Sequence, residues 1–425
     1  MKHVHLKLSG IFGLLIVLVL VYPRLTNYMN ANNYSKNKIQ HIIVIMQENH
    51  AFDNYFGTYP GAIGIPPNEC MPYNLTNATK GCVKPFLTTD IETYDLVHNY
   101  SASVTAYDNG KMDGFVVAEN SSRAMTYYNN ITIPNYWNFA HNYTLDDMFF
   151  SSVLTYSLPN HWYAVAGQSP QTFYDNCSGM PNCNMGEPNL TLQEEYLYEA
   201  NLTETIGDLF KQNQGISWRY YDYPLNTDFN QSKHRFSFWN PFASQPRNYY
   251  QTNFVNRTQI FSDIDNHNLP DVSWVIPSGP LSEHQGDNIT YGMYWTTSIV
   301  DAIMNSSYWN STVIIVTWDD YGGYFDTVKP PKVDALGYGF RVPAIIISPY
   351  SKQGIDSTAH SFDSILRFIE WRYNLHNLTR RDSIANNLNS SLDLTQKPLA
   401  PHPIPVTDAE WNSIAGYLNQ TSGVD

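Results

Sequence analysis

Apolar runs without alternating polar residues stand out along the chain, at 39–46, 272–276, 312–317 and 342–348. Runs of this kind, rich in Ile and Val, are typical of strands that are buried on both faces of a sheet. Elsewhere apolar residues recur at intervals of three and four, as in 292–305 and 362–373, and this spacing predicts amphipathic helices. Buried strands that alternate with such helices predict an α/β protein, a three-layer α/β/α sandwich around a mostly parallel sheet.

The stretch of about 165–270 differs from the rest, because it is rich in Tyr, Asn and Pro and contains no such run until its end. We interpret it as a cap or insertion over an edge of the sheet. The pattern otherwise continues through 38–425, so we predict one large domain over these residues.

The first 26 residues have the pattern of an export signal. Lys2 and Lys7 precede an apolar run at 11–22, and about a dozen residues suits a signal peptide better than a membrane span of ~20. No clear cleavage site follows, so residues 1–26 are predicted to be a signal peptide or an uncleaved N-terminal anchor. An anchor would attach the protein to a membrane or cell surface.

Other features also favour an extracellular or cell-surface location. Asn-x-Ser/Thr sequons are frequent, as in a glycosylated secreted protein. The four cysteines form two close pairs, Cys70/Cys82 and Cys177/Cys183, and two local disulfides are the pairing that we favour in an oxidising compartment.

The charge of the chain excludes one class of partner. The formal net charge is −14 and only 15% of the residues are charged. A protein that binds nucleic acid through its general electrostatics needs a basic surface, so we predict no nucleic-acid partner.

Candidate chemistry follows two of the predicted strands. Glu48 and Asn49 come after the first strand, and Asp319 and Asp320 come after the third. The carboxyl ends of parallel strands meet at one edge of a sheet, where functional groups gather. Three converging carboxylates would repel each other unless a cation lay between them, and oxygen ligands suit calcium, magnesium or manganese. The alternative is that the two aspartates only begin the turn at the glycine pair that follows them.

Several segments together resemble the phosphoesterase family, which contains bacterial phospholipases C that cleave phosphatidylcholine and acid phosphatases. The segments that carry the resemblance are 47–58, 110–114, 157–160, 318–331 and 341–349. The resemblance runs in order from about 39 to 375. It implies an alkaline-phosphatase-like fold with one divalent metal ion and a Ser or Thr nucleophile.

Matched by position, the resemblance implies that Ser157 is the nucleophile and contacts the metal ion. It implies that the remaining metal ligands are Glu48, Asn49, Asp319 and Asp320. A hydroxyl is a poor nucleophile at its ordinary pKa, and metal coordination is one way to activate it.

Three histidines are candidate catalytic residues. His98 and His284 match family histidines near the phosphate, whereas the spacing around His360 differs from the family pattern. Imidazolium groups can hold phosphate oxygens or protonate a leaving group. Two nearby hydroxyl side chains, Ser152 and Thr155, are alternatives for the nucleophile.

These features lead to one functional expectation and two alternatives. We expect an exported, metal-dependent, acid-phosphatase-like hydrolase that acts on phosphomonoesters through a phosphoserine, with an optimum below pH 7 because its histidines must be protonated. The first alternative is a phospholipase C that cleaves phospholipid diesters. The second is a non-catalytic glycan-binding protein of the cell envelope.

Overall fold

The computed structural model describes residues 36–92, 95–170, 201–213, 215–222, 240–244, 252–277 and 279–418. The strands of its main sheet are β1 (His41–Gln47), β2 (Thr144–Asp146), β3 (Trp218–Asp222), β4 (Phe254–Asn256), β5 (Val272–Val275), β6 (Thr312–Trp318), β7 (Ala344–Ile347) and β8 (Gly354–Asp356). Their spatial order is β8-β2-β7-β6-β1-β5-β3-β4. β7 is antiparallel to both of its neighbours, and every other pairing in the sheet is parallel. The prediction of a mostly parallel sheet is therefore confirmed.

Helices cover both faces of the sheet, which confirms the predicted α/β layers. In the described residues they are α1 (Phe52–Phe56), α2 (Tyr100–Tyr107), α3 (Phe115–Glu119), α4 (Pro134–Asn142), α5 (Ser157–Ala166), α6 (Ile206–Gln212), α7 (Gln259–Asp265), α8 (Ile289–Met304), α9 (Phe362–Tyr373), α10 (Arg380–Ile384) and α11 (Asp408–Leu418). α5 packs against α9, and α8 packs against α7 and α11. The two helices predicted from periodicity are α8 and α9.

The centre of the core is the pair of strands β1 and β6. They run parallel in register, with Ile42 beside Val313 and Gln47 beside Trp318, and β6 is buried along its whole length. Ile and Val suit this position because a central strand contacts helices on both faces. Burial of one such side chain contributes about 1.5–3 kcal/mol. Burial therefore stabilises this pair of strands, and both strands end at the same edge of the sheet.

The described parts of 165–270, interpreted from the sequence as a cap or insertion, contribute strands and helices to one edge of the main sheet. β3 and β4 lie in the main sheet, and α6 and α7 belong to the helices around it. The buried hydrophobic side chains of β3 are Trp218, Tyr220 and Tyr221. Aromatic side chains thus take the place of the β-branched run by which the other buried strands were predicted. The rest of that stretch lies outside the described residues, as do 1–26 and the Cys177/Cys183 pair.

Within the described residues no helix is both long and apolar enough to span a bilayer.

A smaller hydrophobic cluster lies beside the main core. It contains Leu96, Phe115, Tyr321 and Phe340, so it joins the segment after α1 to the segment after β6. The Cys70–Cys82 disulfide closes a short hairpin in this region, with the two Cα atoms 5.4 Å apart. The prediction of a local disulfide at this pair is confirmed.

A buried arginine connects the segments around the end of the sheet. Arg341 donates from Nε to Asp326 at 2.9 Å and from a terminal nitrogen to Asp53 at 3.2 Å. Its other terminal nitrogen donates to the carbonyls of Ile63 and Asp147, at 2.6 and 2.7 Å. Burial alone would lower the pKa of Arg341, but the two carboxylates raise it, so the group is charged. One side chain thus joins four separate segments.

Replacing Arg341 with Met should reduce the free energy of unfolding by about 3–5 kcal/mol, because it leaves two buried carboxylates without their partner. Urea unfolding followed by circular dichroism measures this. Lys111→Met is the matched control, since Lys111 forms an exposed pair with Asp108 at 2.6 Å and its side chain is 63% exposed. Exposed pairs contribute little, so equal losses in the two variants would contradict the role given to Arg341.

Candidate active site

The register of β1 and β6 brings the acidic residues together. Glu48 follows the end of β1 and Asp319 follows the end of β6, and the Asp319 amide donates to the Gln47 carbonyl at 2.9 Å. Glu48, Asn49, Asp319 and Asp320 are all fully buried. The parallel pairing that the sequence predicted therefore places four predicted metal ligands at one edge of the sheet.

The backbone at this edge is shaped by Asn49 and a glycine. Asn49 has φ = 62°, a left-handed conformation that Asn tolerates better than most residues. Its amide donates to Asp319 Oδ1 at 2.8 Å, which holds the turn. Gly322 also has a positive φ, and a Cβ atom there would overlap the Asn49 carbonyl. Only glycine fits at 322, so the glycine pair serves the close approach of the two acidic segments.

Each aspartate has one oxygen bonded to backbone and one turned into the site. Asp319 Oδ1 accepts from the amides of Asn49 and Asp320, and Asp320 Oδ1 accepts from the amide of Gly322, all at 2.7–2.8 Å. One carboxylate oxygen of each aspartate thus holds the turn, as the turn interpretation of Asp319-Asp320 expects. The second oxygens, Oδ2, are left for other contacts.

The candidate nucleophile approaches these oxygens from the start of α5. Ser157 is the first residue of α5, and its Oγ lies 3.4 Å from Asn49 Oδ1 and 3.4 Å from Asp320 Oδ2. Ser152, one alternative, instead donates to Asp363 Oδ2 at 3.3 Å. Thr155, the other, has a buried hydroxyl with no hydrogen-bond partner among the described residues. Of the three hydroxyls, Ser157 is the one that contacts the acidic site.

The loop before α5 is held by one amide side chain. Asn160 accepts from the amide of Val153 at 3.1 Å and donates to the carbonyls of Thr155 and Tyr156 at 3.1 and 3.2 Å. These bonds tie the first turn of α5 to the residues that precede it. The position of Ser157 is therefore fixed by the backbone around it.

Two predicted histidines lie close to each other, and one of them lies close to Asn49. The rings of His98 and His284 are 6.0 Å apart, and His98 Nε2 is 3.4 Å from Asn49 Nδ2. Each Nδ1 faces a backbone carbonyl, that of Leu96 at 2.7 Å and that of Gln285 at 2.9 Å. Nδ1 therefore carries the proton in the neutral ring, and Nε2 is the nitrogen left to exchange protons.

Burial lowers the pKa of His98, and the charge of His284 lowers it further. A larger fraction of His98 is then neutral at mildly acidic pH than for a free imidazole. Protonation of His98 therefore needs a lower pH than protonation of a free imidazole, and the acidic optimum stays a prediction.

His360 has a different environment. Its Nδ1 lies 2.6 Å from Asp146 Oδ2 and its Nε2 lies 3.0 Å from Ser390 Oγ. These distances resemble a Ser–His–Asp arrangement, but the Ser390 hydroxyl also bonds the Asp356 carboxylate. A hydroxyl that donates to a carboxylate accepts from the histidine, so Ser390 is not activated. In the described residues the structure does not join His360 to the other predicted site residues.

A further histidine completes the acidic cluster and was missed from the sequence. His161 is 1% exposed and its Nε2 lies 2.9 Å from Glu48 Oε1 and 3.8 Å from Asp319 Oδ2. It lies one helical turn after Ser157, so both project from the same face of α5. The spacing of four residues from Ser157 could have identified His161 from the sequence. The segment that resembles the family, 157–160, ended one residue before it.

The side chains fit a bound cation. Glu48, His161 and Asp319 offer ligand atoms that all lie within 4.8 Å of one another. Glu48 Oε2 and Asp319 Oδ2 are buried and have no hydrogen-bond donor among the described residues. Burial raises the pKa of Glu48 well above its ordinary value, and the charges of Asp319 and Asp320 add to this. Buried, unpaired carboxylate oxygens are costly, and a divalent ion would satisfy them.

The sequence pattern of the phosphoesterase family matches residues 39–376. The chain belongs to the phosphoesterase family. Together with the phospholipases C to which it is similar, this membership identifies it as a phosphoric ester hydrolase.

Curated relatives of this phosphoesterase come from bacteria and plants. Phospholipase C A of Mycobacterium tuberculosis is 27% identical over 430 residues, which cover 86% of this chain and 79% of that protein. The non-hemolytic phospholipase C of Pseudomonas aeruginosa is 24% identical and is covered to 58% of its length, with 86% of this chain covered. Non-specific phospholipase C1 of Arabidopsis thaliana is 23% identical, with 86% and 74% covered.

The solved structures that match this chain are more distant in sequence. A protein in the alkaline phosphatase superfamily from Vibrio parahaemolyticus has a TM-score of 0.37 at 12% identity, covering 83% of this chain and 72% of that one. The lipoteichoic acid synthase LtaP from Listeria monocytogenes has a TM-score of 0.41 at 9% identity, covering 82% and 78%.

Replacing His360 with Gln should lower stability without changing turnover per folded molecule. Burial alone would lower the pKa of His360, but Asp146 raises it above its ordinary value. The ion pair is thus fully present below the unfolded pKa of about 6.5 and is lost as pH rises through the higher folded pKa. We expect a loss of about 3 kcal/mol at pH 6 that shrinks at alkaline pH.

Urea unfolding of His360→Gln and wild type at several pH values measures this difference, and active-site titration normalises the turnover. A variant that is as stable as wild type but inactive would instead make His360 catalytic.

Proposed function

We propose that this phosphoesterase is an exported enzyme that cleaves phosphate diesters of the phospholipid type, with Ser157 as nucleophile and one divalent metal ion as cofactor. The observation that carries the proposal is the contact of Ser157 Oγ with both Asn49 Oδ1 and Asp320 Oδ2 at 3.4 Å. Export is supported by the apolar N-terminal run and by the Cys70–Cys82 disulfide, because disulfides persist in oxidising compartments.

The metal ion would be held by Glu48, Asn49, Asp319 and Asp320. When bound, it would supply Lewis-acid stabilisation of the serine alkoxide and of the charge on the phosphoryl oxygens. The fit rests on the unpaired buried oxygens of Glu48 and Asp319.

The residues of the chain provide positioning and proton transfer. Ser157 attacks phosphorus, forms a phosphoserine and displaces the alcohol of the diester. The Leu96 carbonyl fixes Nδ1 of His98. Nε2 of the same ring would then pass a proton to the leaving oxygen. Water then hydrolyses the phosphoserine, and the same nitrogen can take the proton that water releases.

The charge of the site favours a diester over a monoester. The neighbouring charges that raise the pKa of Glu48 and Asp320, after burial itself, are those of other carboxylates. Three ionised carboxylates and one divalent ion leave a net charge of about −1. A monoester adds about −1.5 to −2 at pH 7, whereas a diester adds about −1, so repulsion at short range is smaller for the diester.

The relatives also support this choice, because those named above are phospholipases C. The acid phosphatase activity expected from the sequence would use the same site residues. A preference for monoesters is therefore the alternative outcome of the substrate test.

Replacing Ser157 with Ala should lower kcat by at least about 10³-fold while leaving the unfolding curve unchanged, because the hydroxyl is a reactant. Rapid acid quench with a ³²P-labelled diester should trap label on Ser157 in the wild type. Thr155→Ala is the matched control, and it should keep most of the activity. Label on Thr155 or on a histidine would overturn the assignment.

The substrate class is tested with two chromogenic esters that share a leaving group. We expect kcat/KM for p-nitrophenyl phosphorylcholine to exceed that for p-nitrophenyl phosphate by at least about tenfold at pH 7, because the diester carries less negative charge. A pH series on both esters extends the test. A preference for the monoester, above all one that grows below pH 6, would return the protein to the acid-phosphatase interpretation.

A further inference from the structure

Helix α5 carries a second group toward the acidic cluster. His161 lies four residues after Ser157, which places both side chains on one face of the helix. The imidazole is 1% exposed, so its nitrogen atoms must find their partners inside the protein. The partners of Nε2 are the carboxylates of Glu48 and Asp319.

The distances place His161 Nε2 between two carboxylates. It is 2.9 Å from Glu48 Oε1 and 3.8 Å from Asp319 Oδ2. A proton on Nε2 can form one good hydrogen bond, to Glu48 Oε1, because 3.8 Å is beyond hydrogen-bond range. Asp319 Oδ2 would remain without a partner in that arrangement, although it faces the same nitrogen.

Two unpaired oxygens distinguish a site that holds a cation from one in which His161 carries a proton. Asp319 Oδ1 is already used by two backbone amides, and Glu48 Oε2 and Asp319 Oδ2 have no donor among the described residues. A cation shared by Glu48, Asp319 and the Nε2 lone pair satisfies all of them together. A proton on His161 satisfies one oxygen of the set.

The other buried histidine near this edge is used elsewhere. His50 Nδ1 lies 2.8 Å from Asn54 Oδ1 and its Nε2 lies 3.1 Å from the Glu283 carbonyl. His50 is thus anchored to polar groups outside the cluster, and His161 is the imidazole that points into it.

We propose that His161 is a nitrogen ligand of the metal ion and that the site therefore selects zinc or manganese over calcium or magnesium. Imidazole is a ligand that zinc and other first-row transition ions favour, whereas calcium and magnesium prefer sites made only of oxygen. This inference rests on the metal dependence in the proposed function. Of the three ions expected from the sequence it keeps manganese, and it adds zinc.

The decisive variant is His161→Gln. The Gln amide can still donate a hydrogen bond to Glu48, but it does not replace the imidazole nitrogen as a ligand. Calorimetric titration of the metal-stripped full chain with Zn²⁺ and with Ca²⁺ should show at least a tenfold rise in Kd for Zn²⁺ in the variant. The Kd for Ca²⁺ should change less than threefold.

A spectroscopic test is independent of affinity and of activity. In the wild type loaded with Mn²⁺, electron spin-echo spectra should contain the modulation of a directly coordinated ¹⁴N nucleus, and this signal should be lost in His161→Gln. His141→Gln is the matched control, because His141 is exposed, and it should keep both the signal and the affinities.

Two failures are distinguishable. If Zn²⁺ binds tightly but the Mn²⁺-loaded wild type shows no ¹⁴N modulation, or if the Kd values are unchanged in His161→Gln, His161 is only a hydrogen-bond donor to Glu48. Either result would overturn the inference while the proposed function stands. Absence of binding of every ion tested would overturn both.

Discussion

Repulsion among three buried carboxylates is the constraint around which this end of the sheet is built. Glu48, Asp319 and Asp320 are fully buried, and burial together with the charge of Asp319 raises the pKa of Glu48 and of Asp320. Backbone amides offset part of the repulsion by donating to one oxygen of each aspartate. The remaining oxygens converge, and their charge is unbalanced without a cation. An ion bound there would therefore contribute to the folding energetics as well as to the chemistry.

The backbone conformations at this edge are strained, and rigid neighbours keep them in place. Asn49 and Glu283 both have a positive φ, which costs of order 1–3 kcal/mol for each residue. Glu283 is held by hydrogen bonds from Tyr55, Tyr136 and Trp318, and these lock the loop that carries His284. On the other side Arg341 joins the segments that follow both central strands. The site is thus held in place by side chains outside the acidic cluster.

The sequence could predict the parts of the site that depend on local pattern. The apolar runs identified β1 and β6, and their parallel pairing implied that Glu48 and Asp319 would meet. β3 could not be found in the same way, because Trp218, Tyr220 and Tyr221 bury it with aromatic rings instead of a β-branched run. The run at 342–348 showed a strand, but its antiparallel direction depends on the connection and not on composition.

The histidines show a second limit of the sequence. A histidine's role depends on which groups face its two nitrogens, and those groups come from distant segments. His360 lies next to a recognisable helix start, yet its partner is Asp146, more than two hundred residues away. His161 carried a usable signal, its helical spacing from Ser157, since a nucleophile at the first position of a helix implies that the residue four positions later shares its surroundings.

The contacts of Ser157 also bear on its proposed role as nucleophile. In a serine hydrolase that uses a general base, an imidazole accepts the hydroxyl proton. Here the hydrogen bonds of Ser157, within the described residues, go to Asn49 Oδ1, Asp320 Oδ2 and the Glu48 carboxylate. An amide oxygen is too weak a base to take that proton, and the carboxylates are the groups that a cation would occupy. In the proposed mechanism, activation would then come from a bound ion that lowers the pKa of the hydroxyl itself, and from the rigidity of the turn that presents Ser157 to that ion.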